Sequence, residues 1–222
     1  MNKLIIYVIL LILYLGLSKS LSPSEFGIKY VNSQKSLALS IPGAPVSVIL
    51  TDIHSTGFII KTYYHKYKVV YGFQSFEELI IRTSRKYMEE NLPYLGMSVF
   101  RRFKLENKED FTPLPPGSVF VGDYNFGNWV DRRGKKQWRF FRVYRQIPTY
   151  LGWKDFQPTF QTYTRIRTAI DEKKPFFGSN DEFGINGSIT KVSFPKYFER
   201  QKNEPIDLEK FIKAYLNENF IK

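Results

Sequence analysis

The sequence predicts an α+β fold with a mostly antiparallel sheet and about three helices. Segments rich in β-branched and aromatic residues outnumber the segments with helical periodicity. Strands and helices also do not alternate along the chain, as they would in a parallel βαβ fold. Hydrophobic residues make up 43% of the 222 residues, a composition typical of a globular protein with a packed core.

Most predicted strands precede residue 145. Their β-branched and aromatic side chains suit a pleated, half-buried surface. Residues 57–72, GFIIKTYYHKYKVVYG, form either one long strand or a hairpin that bends near His65. Asn186-Gly187 is a strong hairpin signal. The predicted strands cover residues 36–41, 46–53, 57–72, 97–105 and 118–122, a segment from Lys136 onward, and a hairpin of residues 182–185 and 188–194.

Three segments have apolar residues at helical spacing. Ser75 and Glu78 form a capping-box pattern at the start of the first helix. Pro158 suits the first turn of the second. The third is amphipathic and C-terminal, and we expect it to pack on the body of the protein. The predicted helices cover residues 76–91, residues 159–174 and a segment that follows Asp207.

A Pro-rich segment divides the chain. FTPLPPG, residues 111–117, predicts a stiff surface loop and marks a possible boundary within a single α+β domain of residues 21–222. Residues 123–136 are predicted to form a loop, because Gly127 and Gly134 fall within them.

The first twenty residues have the composition of a secretory signal peptide. Lys3 supplies a positive charge, and an uncharged, mostly apolar run of fourteen residues follows from Leu4 to Leu17. A membrane span needs about 20 apolar residues. We therefore expect residues 1–20 to be a cleaved signal peptide, with an uncleaved anchor as the alternative. The protein is expected to be exported to the periplasm or the cell envelope.

Residue types exclude several kinds of chemistry. The chain has no Cys, which rules out disulfides, thiolate metal sites and Cys nucleophiles. It has only two His, so a zinc site is not expected, and the sequence indicates no cofactor. His54 follows Asp52 closely, and we interpret that stretch as a capped turn after a strand rather than as a general base.

The sequence favours a binding or structural protein over an enzyme. It contains no GxGxxG, Walker or GxSxG motif. The alternative is a glycan-active periplasmic enzyme that uses a pair of carboxylates from Asp123, Asp131 or Asp155. Such an enzyme needs two carboxyl groups about 5–10 Å apart in one cleft.

The positive charge is concentrated in one region. The formal net charge is +12; residues 131–170 hold ten Lys or Arg against two Asp, whereas residues 171–222 hold nine of each sign. Residues 132–145, RRGKKQWRFFRVYR, contain seven cationic and four aromatic residues and no acidic residue. A local positive field of this kind attracts anionic partners.

This basic segment predicts a strand with two unlike faces. One face carries Trp138, Phe140, Arg142 and Tyr144 and suits the core, with Arg142 in need of a partner. The other carries Arg139, Phe141, Val143 and Arg145. The segment is either a binding face or a half-buried strand with solvated or salt-bridged arginines. The candidate binding residues are Arg132, Arg133, Lys135, Lys136, Arg139, Arg145, Trp153, Arg165 and Arg167.

The expected partner is anionic and lies outside the cytoplasm. Interleaved basic and aromatic residues can bind nucleic acid by charge and stacking, but the export signal argues against that partner. An anionic glycan, lipid head groups or an acidic protein surface fit better. Contact with a membrane is expected only if residues 1–20 are retained.

Three features of the chain carry a resemblance to a known family. They are the leader MNKLIIYVILLILYLGLS, the absence of Cys and a body with 20 Phe, 15 Tyr and 3 Trp. In these features the chain resembles flagellar filament coat proteins. The resemblance implies a subunit of an extracytoplasmic assembly, such as a coat or sheath on a filament. It assigns no role to any single residue.

Overall fold

A computed structural model describes residues 3–20, 27–57, 61–72, 75–104 and 108–203 of the chain. The helices in these residues are α1 (Lys3–Ser20), α2 (Gln34–Leu39), α3 (Arg85–Asn91), α4 (Ile147–Tyr150), α5 (Phe160–Glu172), α6 (Ser188–Ser193) and α7 (Pro195–Asn203). The strands are β1 (Val46–Thr56), β2 (Thr62–Tyr71), β3 (Ser75–Thr83), β4 (Ser98–Arg102), β5 (Glu109–Asp110), β6 (Gly127–Arg132) and β7 (Lys135–Phe140). Short 3₁₀ helices occupy Leu92–Tyr94 and Arg142–Tyr144.

Five strands form one antiparallel sheet in the order β3-β2-β1-β4-β5, and β6 and β7 form a separate antiparallel hairpin. The predicted α+β class with a mostly antiparallel sheet is confirmed. The predicted number of helices was too low, because seven α-helices occur among the described residues. Four of them have seven residues or fewer, and such short helices leave little periodicity in a sequence.

The two central strands agree with the sequence. β1 covers the strand predicted at 46–53, and β2 is one continuous strand that passes straight through His65. The two strands pair from Val46 with Tyr71 to Thr56 with Thr62. The strand predicted at 97–105 is also confirmed, as β4.

The first predicted helix was wrong over its first half. Residues 75–83 are strand β3, which pairs with β2 from Tyr71 opposite Ser75 to Tyr63 opposite Thr83. Burial alternates at its end, since Ile81 and Thr83 are buried and Arg82 between them is exposed. The helix begins only at Arg85, and its N-cap acceptor is Ser84 rather than Ser75.

Three other predicted strands are not strands. Residues 34–39 form α2, which starts with a capping box between Ser33 and Ser36. Residues 118–122 form buried turns. The predicted hairpin at 182–194 is a turn followed by α6, because Gly187 caps that helix. A Cβ on Gly187 would lie 2.4 Å from the Glu182 carbonyl oxygen, so this glycine allows a close backbone approach rather than a hairpin turn.

The second predicted helix is confirmed as α5, which begins after the N-cap Thr159. The predicted C-terminal helix after Asp207 lies outside the described residues.

Apolar side chains pack on both faces of the five-stranded sheet. Along β1, Val48 and Leu50 belong to one hydrophobic cluster, whereas Ile49 belongs to a second. This division follows from the alternation of side chains along a strand. Residues of α2, α3 and α7 join the first cluster, and the aromatic side chains around the β6–β7 hairpin join the second.

The Pro-rich segment is buried, contrary to the predicted surface loop. Residues 112–117 have little exposure to solvent. Leu114 exchanges two backbone hydrogen bonds with Ser98 on β4, at 2.9 and 3.1 Å. Leu114 also packs with Ile166 and Ile170 of α5. The segment thus links the sheet to α5.

Acid should destabilise the protein through His65. Its imidazole is fully buried, Nδ1 lies 2.8 Å from the Tyr67 hydroxyl, and Nε2 has no hydrogen-bond partner among the described residues. Burial, together with the charge of His54, lowers the pKa of His65 from 6.5 to about 4. A neutral buried imidazole stabilises the fold above pH 6.5, and this contribution is lost as the pH falls from 6.5 to about 4. The expected loss is about 3 kcal/mol.

Urea unfolding at pH 7, 6, 5 and 4.5 measures this loss, with a His65→Phe variant as the control for the slope. We expect the free energy of unfolding of the variant to depend less on pH over this range. An equal pH dependence in both proteins would contradict the role assigned to His65.

Candidate functional site

The basic segment lies on a tight two-stranded hairpin. β6 and β7 pair from Gly127 opposite Phe140 to Arg132 opposite Lys135. The turn residues Arg133 and Gly134 have φ of 53° and 74°, the positive values that a type I′ turn requires. The predicted strand from Lys136 is therefore confirmed. The loop predicted at 123–136 was wrong, because β6 occupies Gly127–Arg132 and β7 begins at Lys135.

The two faces of the hairpin differ in character. Cross-strand partners share a face, so Trp129 and Trp138 lie together on one side. The ring of Trp138 is buried, and the two indole rings meet edge to face at 5.1 Å. The opposite side carries the pairs Asn128–Arg139, Val130–Gln137 and Arg132–Lys135. One face thus belongs to the core, and the other is polar and basic.

Aromatic packing fixes the hairpin on the protein. Trp129 also contacts Phe160 at 5.2 Å and Tyr163 at 5.6 Å, both on α5. The Trp138 backbone N–H donates to the Pro158 carbonyl oxygen at 2.9 Å. The basic face is therefore backed by packed aromatic side chains.

Three arginines surround one shallow depression beyond the end of β7. The depression has a volume of about 530 Å³. β7 ends at Phe140, and the chain continues as the 3₁₀ helix Arg142–Tyr144. A 3₁₀ helix has three residues per turn, which places residues three apart on one side. The described lining residues are Asn128, Val130, Arg139, Phe140, Phe141, Arg142 and Arg145, and none of them is acidic.

The charges on this face are not neutralised within the described part of the chain. Residues 127–146 contain seven Lys or Arg and one acidic residue, Asp131. All seven cationic residues are exposed, and none forms an ion pair with a described residue. Phe141 and Val143 add apolar surface, since they are 42% and 60% exposed. The face combines unpaired cations with apolar contact area.

Most candidate binding residues are exposed, but they do not form one site. Arg139 and Arg145 line the depression. Arg132, Arg133, Lys135 and Lys136 lie at the exposed tip of the hairpin, with Lys136 opposite Asp131. Arg165 and Arg167 lie on α5, where the Arg165 guanidinium stacks on the Phe176 ring at 5.0 Å. Arg167 lines a different cavity.

Trp153 was wrongly assigned to the binding set. Its ring is 3% exposed, and its Nε1–H donates to the Pro116 carbonyl oxygen at 2.7 Å. It therefore holds the Pro-rich segment in place. Arg142 was not among the candidate binding residues, because strand alternation assigned it to the core face with Trp138, but it lines the depression with Arg139 and Arg145. The spacing of three between Arg139, Arg142 and Arg145 is the sequence signal that could have found it.

Asp123 and Asp131, two of the three carboxylates considered for catalysis, accept hydrogen bonds within turns. Asp123 Oδ1 accepts hydrogen bonds from Asn125 N at 2.9 Å and Asn125 Nδ2 at 2.8 Å. Asp131 Oδ1 accepts from Gly134 N at 3.1 Å and so stabilises the hairpin turn. Asp155 is exposed. Two of the three carboxylates thus serve as turn acceptors.

His54 lies within β1 rather than on the predicted capped turn. Its Nδ1 is 3.5 Å from Asp52 Oδ2, and the imidazole stacks on Tyr64 at 5.2 Å. Both carboxylate oxygens of Asp52 also accept from the Arg200 guanidinium. Burial alone would raise the pKa of Asp52, but the hydrogen bonds of His54 and Arg200 and their charges outweigh it and lower the pKa to about 2. This cluster ties α7 to the sheet.

The described residues contain no group of three or more His, Asp or Glu placed to hold a metal ion. None of their helices is both long and apolar enough to cross a membrane.

Comparison with known proteins gave no match to a family model, a curated protein or a solved structure.

Proposed function

We propose that this protein is an exported, non-catalytic binding or structural protein of the cell envelope. Its partner is anionic, either a glycan or a protein assembly, and it binds to the basic face of the β6–β7 hairpin. The observation that carries the proposal is the depression lined by Arg139, Arg142 and Arg145 without an acidic lining residue among those described.

The chemistry of arginine suits this partner. A guanidinium is always charged and presents a planar set of donors that matches a carboxylate, sulfate or phosphate group. A single exposed ion pair contributes only about 0.2–1 kcal/mol. A useful affinity therefore needs several arginines that act together on a polyanion. The exposed ring of Phe141 adds apolar contact beside them.

The alternative of salt-bridged arginines on a half-buried strand has less support. The buried side of the hairpin is the side that carries the two indole rings. The cationic side chains lie at exposed positions and form no ion pair with a described residue. The alternative of a glycan-active enzyme also loses support, since Asp123 and Asp131 are engaged in turns.

Export is supported by the first twenty residues. The side chains of residues 3–15 on α1 are all exposed, so this apolar segment belongs to neither hydrophobic core. An apolar helix whose side chains lie outside both hydrophobic clusters of the described residues is consistent with a targeting segment.

If the N-terminal segment is a cleaved signal, the native protein should begin near residue 19 or 21. N-terminal sequencing of protein purified from its own cells, without an added tag, tests this expectation. Protein that retains Met1 and fractionates with membranes would instead support the uncleaved anchor.

A role in an extracytoplasmic assembly extends the proposal. The resemblance to flagellar filament coat proteins suggests that the anionic partner is a neighbouring protein in such a coat or sheath. A pull-down from envelope extract with the full chain, followed by identification of the retained proteins and glycans, distinguishes a protein assembly from a glycan.

Binding to a defined polyanion tests the general claim. The full chain should bind dextran sulfate but not uncharged dextran of the same length. Binding should weaken steadily between about 0.05 and 0.5 M NaCl, because salt screens charges on exposed surfaces. Equal binding to dextran would show that the face does not select for charge.

A further inference from the structure

A second cavity lies between α5 and the loop that follows the Pro-rich segment. Its volume is about 370 Å³. The cavity combines aromatic rings with polar and charged side chains. The lining residues on which the inference rests are Lys104, Asp123, Tyr124, Asn125, Tyr163 and Arg167.

The rings offer a platform at the surface. Tyr124 is 71% exposed. The ring of Tyr163 lies 6.0 Å from the ring of Phe160, and Phe160 is 48% exposed. Gly122 allows Tyr163 to lie against the loop, because a Cβ on this glycine would come within 2.5 Å of the Tyr163 ring. Rings held in this way can stack on a flat apolar surface of a ligand.

Hydrogen bonds hold the polar groups of the cavity in place, and two of their oxygen atoms can still accept further hydrogen bonds. Asn125 donates to Asp123 Oδ1 through both its backbone N–H and its side-chain amide. The other carboxylate oxygen of Asp123 and the amide oxygen of Asn125 have no hydrogen-bond partner among the described residues. These two oxygens can accept hydrogen bonds from hydroxyl groups.

The cationic side chains of the cavity favour a negatively charged ligand. Lys104 and Arg167 are exposed, and neither forms an ion pair with a described residue. Two cations against the single carboxylate of Asp123 leave the lining with a net positive charge. A guanidinium pairs best with a planar oxyanion such as a carboxylate.

We propose that this cavity binds an acidic sugar unit of a polysaccharide. The C–H face of the pyranose ring stacks on Tyr124 or Tyr163, its hydroxyls donate to Asp123 and Asn125, and its carboxylate pairs with Arg167. This site goes beyond the proposed function, because it uses none of the hairpin arginines.

Tetragalacturonate and its methyl ester test the proposal as a pair of probes, since methylation removes the charge of the carboxyl groups and leaves the sugar rings unchanged. Isothermal titration with the full chain should show saturable binding of the acid and much weaker binding of the ester. Arg167→Gln should raise Kd for the acid roughly tenfold, as expected for the loss of a charge-assisted hydrogen bond. Arg165→Gln is the control, because Arg165 is also exposed on α5 but does not line the cavity.

Two further variants separate this site from the hairpin. Tyr124→Ala should weaken binding of the acid, whereas the triple variant Arg139→Gln, Arg142→Gln, Arg145→Gln should retain it. The proposal is overturned if the wild-type chain shows no saturable binding, if acid and ester bind equally, or if Arg165→Gln weakens binding as much as Arg167→Gln. Loss of binding in the triple variant would also overturn it, since the sugar would then bind to the hairpin.

Discussion

Asp110→Ala should destabilise the protein by about 3–5 kcal/mol, because it leaves a buried guanidinium without its counter-charge. Arg101 on β4 is completely buried. Its Nη1 donates to the Ser98 carbonyl oxygen at 2.8 Å, and its Nη2 donates to Asp110 and to the Thr112 carbonyl oxygen. Burial lowers the pKa of Arg101, and the charge of Asp110 opposes that shift.

Urea unfolding of Asp110→Ala measures this effect, and Glu109→Ala is the matched control. Glu109 is the neighbouring residue on β5 and pairs with Arg102 near the surface, with Nε to Oε1 at 3.0 Å. Its loss should cost no more than about 1 kcal/mol. Asp110→Asn, which keeps a hydrogen-bond acceptor, should fall between the two. Equal unfolding midpoints for Asp110→Ala and Glu109→Ala would contradict the buried ion pair.

Trp138→Ala should cost about 3–5 kcal/mol, as expected for a large aromatic side chain removed from a core. The ring is 5% exposed and contacts Trp129, Phe140 and Tyr124. Trp138→Phe should cost much less, because Nε1 of Trp138 has no hydrogen-bond partner among the described residues and the phenyl ring fills part of the space.

Arg139→Ala separates the two faces of β7. Arg139 is the next residue along the strand and is exposed, so its truncation should change the free energy of unfolding by less than about 0.5 kcal/mol. Chemical denaturation of Trp138→Ala and Arg139→Ala side by side checks the contrast. Similar losses for the two variants would mean that β7 is buried on both faces.

The strand predictions were correct where the sequence pattern fitted a strand and not a helix. β1 and β2 consist of long β-branched and aromatic runs, and both are strands. β3 was mistaken for a helix because Phe76, Leu79, Ile80 and Thr83 fit a helical face, while Leu79, Ile81 and Thr83 also fit one face of a strand. Pairing with β2 decides between the two, and that partner cannot be seen from local spacing.

The basic face could be predicted only in part. Alternation correctly separated Trp138 from Arg139, because β7 is a regular strand over these residues. It failed for Arg142, since the strand ends at Phe140 and Arg142–Tyr144 form a 3₁₀ helix, in which side chains do not alternate between two faces. Trp153 was misassigned for a different reason: a Trp near basic residues has the same local pattern whether it packs inside or outside.

The most direct test of the central claim compares two triple variants that lose the same charge. The first is Arg139→Gln, Arg142→Gln, Arg145→Gln, and the second is Lys35→Gln, Lys86→Gln, Lys191→Gln, at exposed positions on α2, α3 and α6. Affinity for dextran sulfate at fixed salt should fall at least roughly tenfold in the arginine variant, as expected for three lost ion pairs. It should change little in the lysine variant, and both should unfold at the wild-type urea concentration. Equal losses of affinity in the two variants would show that net charge, and not the hairpin face, governs binding.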